Sequence, residues 1–570
     1  MNKQPLLLCV SIFLILVLVV TGLVVTRRFG GRSSLDLDYD AEVDVENVGN
    51  VTAATLWDLH RDIKTKNKFK IYLFQVLNPQ AVLEGENPEL KEAGPFAYNQ
   101  KKTRVTLGIY EESDTVRYKD HVTYHFNQAE SKGNDSDIVT IINMPWVGLA
   151  QEVSRMSAFS RFIVMAIVSR YSESVFMTRP VGELLFGGFY HELISTFSGI
   201  TGETYMPNNT FGFLYGRNDT FLDSREVNLG LKNPLHFGHT RKWKGLKEME
   251  WWSRPNSDDS DWFDEESSED KHKNTCNQIS ESSDWSLFHP GINKEEYLSV
   301  FADDLCRNLK LSFEKEVNLQ GVKGYRFTVP RSEYGNPKNH PENSCYCTQP
   351  GEDMEDCPHD GVYQINACQK AASVLISHPH FYNGDKTYLQ NVKGLNPKLE
   401  HHQTFIDIEP VRKAQKLFPI IDHSSITGQV LRYAKRAQVN LHLRPLKSIT
   451  EFNKVPNMIF PVMWTEETAE MDDDALVELK AKLAGKKFTF SGFQPPVLVN
   501  HLGFMSSDSE RSRFWMGVTG GLLILPVGLV GLFLALKGTN WSSKFSHPND
   551  TEGVEFTEML TEGQTSTEIV

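Results

Sequence analysis

The chain has 570 residues, 40% hydrophobic and 23% charged, which suits one large folded domain or several with appendages. Its formal net charge of −14 argues against general nucleic-acid binding, because phosphate contacts need basic surface.

The first element follows a four-residue N-terminus, 1–4. Residues 5–25 form an uncharged run of 21 residues, long enough to cross a hydrocarbon core as a helix. The run exceeds the core of a signal peptide and no small-x-small cleavage site follows it, so it reads as an uncleaved anchor. Cys9 inside it is a candidate for palmitoylation, or else plain apolar filling. A second uncharged run, 514–536, closes the long segment 26–513. Two spans place both termini on one side of a membrane. Arg27, Arg28 and Arg32 behind the first span argue for the opposite orientation, but charge counts weaken for long translocated loops. Sequons stand at Asn50, Asn134, Asn208 and Asn218 in the loop but also at Asn540 and Asn549 in the tail, so their count does not decide the side. The even set Cys276, Cys306, Cys345, Cys347, Cys357 and Cys368, all inside the loop, favours an extracellular or luminal loop. Both termini are then cytosolic.

Within the loop, strands outnumber helices. Alternation of apolar and polar residues predicts strands at 122–126 (VTYHF), 325–329 (YRFTV), 439–443 (VNLHL) and 487–493 (KFTFSGF). Residues 147–176 predict a helix, with Met156, Phe159, Ile163 and Ala166 at helical spacing. Residues 162–168 are then continuously apolar. That is more than one buried stripe needs, so the helix is either a core element or a docking surface. Arg155, Arg161 and Arg170 punctuate it. Residues 258–270 carry eight acids and no base. Lacking the glycine and ligand spacing of a calcium loop, they read as a solvated insertion.

Catalytic and metal motifs are sparse. The stretch HELIS at 191–195 starts like a zinc-protease helix, but Ser195 stands where the second histidine is required. The pairs at 378–380 (HPH) and 401–402 (HH) have no third ligand fixed by spacing. Phosphate-binding, dinucleotide and nucleophile-elbow motifs are absent. No cofactor is expected, and the absence of these motifs weighs against an enzyme. Spacing alone leaves open how the six loop cysteines pair, although Cys345 and Cys347 are poorly placed to bond each other.

Several stretches, taken in order, resemble the class B scavenger receptor and lysosomal integral membrane protein family, which includes the fatty-acid translocase. They are EAGPFAY (92–98), VTIINMP (139–145), VGELLFGG (181–188), FGFLYGRNDT (211–220), residues 300–327, SHPHFY (377–382), residues 394–410 and YAKRAQVNL (433–441). The resemblance runs from the first anchor to the second. It implies an α+β fold: a β-rich, antiparallel, barrel-like ectodomain over 26–513 with a helical apex at 147–197, held by two transmembrane helices. It implies binding of lipids, lipoproteins or fatty acids at the apex and an apolar tunnel leading cargo to the membrane. The apex candidates are Met156, Phe159, Arg161, Phe162, Arg170 and Tyr171. It also implies the disulfides Cys276–Cys345, Cys306–Cys368 and Cys347–Cys357. The apex lysine and histidine used by some members have no counterpart between 147 and 176. A plasma-membrane site, with endosomal and lysosomal membranes as further sites, is expected. The alternative is an endolysosomal sorting receptor for a soluble lysosomal protein.

The tail 537–570 is polar and acidic. Glu555, Met559 and Leu560 resemble an acidic dileucine signal for sorting adaptors. The terminal residues EIV suit a carboxylate-capturing groove. Gly517 and Gly521 form a GxxxG in the second span, a helix-packing motif that would support a homo-oligomer.

Overall fold

The computed structural model describes residues 53–61, 65–171, 173–202, 204–252, 275–347, 356–369, 374–410 and 428–483. The two expected spans, the tail with Glu555, Met559 and Leu560, Cys9, Asn50, the acidic run 258–270 and the strand expected at 487–493 lie outside the described residues. Among the described residues no helix is long and apolar enough to cross a membrane.

The strands, in chain order, begin with β1 (Thr65–Val76), β2 (Leu90–Tyr110), β3 (Thr115–Phe126), β4 (Ile138–Ile142), β5 (Phe176–Pro180), β6 (Phe189–Tyr190), β7 (Thr210–Phe211), β8 (Thr220–Phe221) and β9 (Arg225–Asn228). They continue with β10 (Thr240–Trp243), β11 (Leu298–Ala302), β12 (Arg307–Leu319), β13 (Val322–Thr328), β14 (Val362–Gln364), β15 (Val374–Ser377), β16 (Phe405–Ile408), β17 (Val430–Leu443) and β18 (Met458–Met471). One sheet runs in the order β10-β9-β3-β2-β1-β18-β17-β16-β13-β12-β11, antiparallel throughout.

Ser282 and Ser283 bring its two edges together. Thr240 N–H on β10 donates to Ser282 O at 2.8 Å, and on the other side Phe301 N–H on β11 donates to Ser283 O at 2.8 Å. Arg225 of β9 reaches Asp303 just after β11 at 3.0 Å. The Trp243 and Phe301 rings meet edge to face at 5.2 Å. Closure in this way leaves few unpaired edge groups and makes the sheet barrel-like.

Alternation explains burial only up to the irregularities. In β1, Phe69, Ile71 and Leu73 are buried in one cluster, but Phe74 and Val76 belong to another. The β1–β2 register shifts between Ile71 and Leu73. In β17 the shift between Val439 and Asn440 buries Asn440 and Leu441 in succession. The 439–443 stretch is therefore a strand with a bulge and not a clean alternation.

Thr65 at the start of β1 pairs with Met471 at the end of β18, so the described chain enters and leaves at one end of the sheet. The apex helices sit at the other end. The single helix expected over 147–176 is instead two. Met144–Arg155 is capped by Asn143, which accepts from Trp146 N–H. Ala158–Val168 is capped by Ser157, which accepts from Ser160 N–H. Met156 between them is extended, with ψ 159°. The Ser157 side chain supplies a bond that rewards a new helix start over continuation. By Phe176 the chain is already in β5, paired with β4. A third helix, Glu192–Thr201, completes the apex, so the 147–197 region mixes helices with strand.

Candidate functional site

The second apex helix has two contrasting sides. Val164 and Val168 are buried against the main core. Phe159 and Phe162 stand 75% and 74% exposed, and Ile163 45%. A core helix would bury these rings, so here the chain leaves a large apolar surface in water.

The other apex candidates have different settings. Met156 is half-buried and packs against the core. Arg161 donates through Nη1 to Ser154 O at 3.1 Å and so braces the break between the helices. Arg170 is exposed and Tyr171 half-buried, and both line a polar cavity of 320 Å³ with Asn143, Glu173, Arg179 and His191. The Tyr171 hydroxyl lies 2.5 Å from Thr196 Oγ1. Sequence reasoning missed Glu173 and met His191 only as the start of the incomplete HELIS metal motif. His191 caps the third helix by accepting from Ile194 N–H. Its Nε2 lies 3.7 Å from Glu173 Oε2. Burial pulls its pKa below the ordinary value, with Glu173 opposing. The HELIS stretch therefore starts a helix, and Ser195 accepts from the Tyr190 hydroxyl at 2.5 Å.

A second cavity, of 150 Å³, lies among β2, β3, β9, β17 and β18 and the segment 284–286. Its wall is built from ion pairs. Arg104 Nη2 meets Asp284 Oδ2 at 2.6 Å and Arg104 Nε meets Asp120 Oδ1 at 3.3 Å. Lys102 bonds Glu467, and Tyr433 O–H donates to Glu467 Oε1 at 2.9 Å. Burial works against the Lys102 ammonium, but Glu467 outweighs it and holds its pKa well above the ordinary value. Burial likewise works against ionised Asp284, yet Arg104 and Arg225 hold it below the usual carboxylate range. No sequence motif announces this network, whose members come from distant strands.

Two of the histidine pairs meet. His380 and His402 stack with ring centroids 4.3 Å apart and planes 8° apart. His380 Nε2 pairs with Glu92 Oε2 at 2.7 Å, which also accepts from Trp464 Nε1–H at 2.9 Å. Asn396 N–H and Lys398 N–H donate to the two Nδ1 atoms, on His380 and His402 respectively. Among the described residues no group of three or more His, Cys, Asp or Glu is placed to hold a metal.

Disulfides join Cys276 to Cys345, Cys306 to Cys368 and Cys347 to Cys357. Asn134, Asn208 and Asn218 are exposed. Asn218 already pairs with the Tyr124 backbone, accepting from its N–H at 2.7 Å and donating to its carbonyl at 3.2 Å.

Comparison with known proteins adds the following. The sequence model of the CD36 family matches residues 42–499. The chain is 29% identical over 413 residues to lysosome membrane protein 2 of Rattus norvegicus, covering 72% of this chain and 76% of that one. It is 30% identical to the Mus musculus protein of the same name, with the same coverage. It is 26% identical over 437 residues to scavenger receptor class B member 1 of Mus musculus, covering 75% of each.

Proposed function

This chain belongs to the CD36 family, and from that premise we propose that its apex docks lipids, fatty acids or lipoproteins and that apolar cargo passes through the ectodomain to a membrane. It is a class B scavenger receptor-like membrane protein. The observation that carries the proposal is the exposure of Phe159, Phe162 and Ile163 on the second apex helix. Covering apolar surface recovers about 25 cal/mol per Å², so a lipid surface is a favourable occupant. In this reading Phe159 and Phe162 enter the lipid. Arg170 and Tyr171 meet polar headgroups at the neighbouring cavity, and Met156 and Arg161 hold the helix break. The protein acts as a receptor, without catalysis. Spans at 5–25 and 514–536 hold it in the plasma membrane and in endosomal or lysosomal membranes, with both termini cytosolic and glycans at the loop sequons.

The test uses the full-length protein. Native mass spectrometry should find co-purifying lipid, and vesicle or lipoprotein binding should fall at least about tenfold in the Phe159→Ser/Phe162→Ser variant. Both side chains are solvent-facing, so its stability should stay within about 0.5 kcal/mol of the parent. Undiminished binding would refute the apex reading.

A second reading, an endolysosomal sorting receptor for a soluble lysosomal protein, is favoured by the similarity to lysosome membrane protein 2. It expects distribution in the cell to depend on residues 550–570. An unchanged distribution after removing them would count against it.

A further inference from the structure

The polar cavity at the apex holds one cation and one anion that the protein itself leaves unmatched. Arg170 and Glu192 both line it, and both are exposed. Neither side chain makes an ion pair or a hydrogen bond among the described residues. The other charges around the cavity are engaged. Glu173 Oε2 accepts from Asn143 Nδ2–H at 3.0 Å and lies 3.7 Å from His191 Nε2. Arg179 meets Glu183 at 3.4 Å and stands over the Phe189 ring at 4.2 Å. A ligand entering the cavity therefore meets a free guanidinium and a free carboxylate together.

The apex as a whole repeats that balance. Residues 143–201 contain four arginines, four glutamates and no lysine or aspartate. A surface that docks by attraction to anionic lipid carries surplus basic residues, and this one has no surplus. Tyr190, 58% exposed, adds an aromatic ring at the cavity, and aromatic faces attract quaternary ammonium groups.

We propose that this cavity selects the headgroup of a zwitterionic phospholipid, such as phosphatidylcholine, over an anionic one. The phosphate pairs with the forked Arg170 guanidinium, and the ammonium lies by Glu192 and Tyr190. A net anionic headgroup also gains Arg170 but leaves Glu192 facing like charge. The proposal rests on the apex-docking reading and adds the headgroup class to it. Glu192 also stands in the first turn of its helix, where a carboxylate suits the helix dipole. The informative quantity is therefore selectivity between lipids, which a role in helix stability would not move.

The test is isothermal titration of the full-length protein in a non-ionic maltoside detergent, with dihexanoyl-phosphatidylcholine in one arm and dihexanoyl-phosphatidylglycerol in the other. About 0.15 M salt screens charges more than about 8 Å away. The parent should bind the first lipid at least about tenfold more tightly than the second. Arg170→Gln should weaken phosphatidylcholine binding about tenfold. Glu192→Gln should weaken phosphatidylcholine but strengthen phosphatidylglycerol, bringing their ratio near one. Both side chains face solvent, so both variants keep the fold. Phe159→Ser/Phe162→Ser should weaken both lipids alike and leave their ratio unchanged. Equal affinities of the parent for the two lipids, parent-like phosphatidylcholine binding in Arg170→Gln, or a parent-like ratio in Glu192→Gln would overturn the headgroup proposal while the apex reading stands. Undiminished binding in the phenylalanine variant, or no binding of either lipid by the parent, would overturn the apex reading and this proposal with it.

Discussion

At the scale of single residues, the buried titratable groups set the response to acid. Burial lowers His378 to about 4, and burial with the neighbouring His380 lowers His402 to about 3. Both stay neutral when folded, whereas the unfolded chain protonates them near 6.5. Their stabilising contribution is therefore complete above about pH 6.5 and declines as the pH falls towards the folded values. The loss reaches up to about 1.4 kcal/mol per pH unit for each residue. Urea unfolding between pH 7 and 5 should show this decline, with a shallower slope in His402→Gln. Equal slopes would show that His402 is not a source. Asp407 makes a different case. Its side chain is 1% exposed and bonds Arg326 at 2.6 Å and Arg432 at 2.7 Å. Asp407→Asn leaves the Arg326 guanidinium without its counter-charge and should cost about 3–5 kcal/mol of unfolding free energy in urea. A loss under about 1 kcal/mol would mean that water or another acid takes over.

At the scale of elements, the apex is pinned to the barrel by Glu451. Its Oε2 accepts from Trp146 Nε1–H at 3.1 Å and its Oε1 from Val175 N–H at 2.8 Å. One carboxylate thus holds the first apex helix and the segment that leads into β5. Glu451→Ala should speed hydrogen exchange of amides across 144–176 while β1 and β18 keep their protection. Equal loosening of both regions would place Glu451 in the barrel's own stability. The same region shows how far periodicity reaches. The sequence shows helical character over 147–176 and an excess of apolar residues, whereas the second helix ends at Val168. The break at Met156 and Ser157 is not legible there, because Ser157 either caps a helix or sits within one, and neighbouring packing decides which. The six apex candidates likewise share one stretch of sequence but separate in space. Two are exposed rings, two line a polar cavity and two support the turn.

For the whole molecule, closure and cross-linking dominate. The disulfides enclose sequence separations of 69, 62 and 10 residues. On the loop-entropy account the two longer ones contribute about 4 kcal/mol each and the short one about 3. Reduction should therefore lower the thermal midpoint of the intact protein well below its oxidised value. Non-reducing peptide mapping should recover the three linked pairs. An unchanged midpoint with all thiols free would show that the sheet alone suffices.

Sequence and tertiary structure divide the protein between them along a physical line. Local patterns determined what local forces decide: the strands at 122–126 and 325–329, the helical character of the apex, and the two apolar runs at the ends. The cysteine count suggested covalent staples without pairing them. Contacts between distant residues were decided only in three dimensions. Ser282 and Ser283 close the sheet because two edges arrive there with free backbone groups. Glu451 meets Trp146 across 305 positions. The wall of charges around Arg104, Asp284 and Lys102 assembles from strands whose sequences look merely solvated. A charged residue on a strand reads as surface in one dimension, because its neighbours in the chain cannot show that another strand will bring the opposite charge and shut out the water.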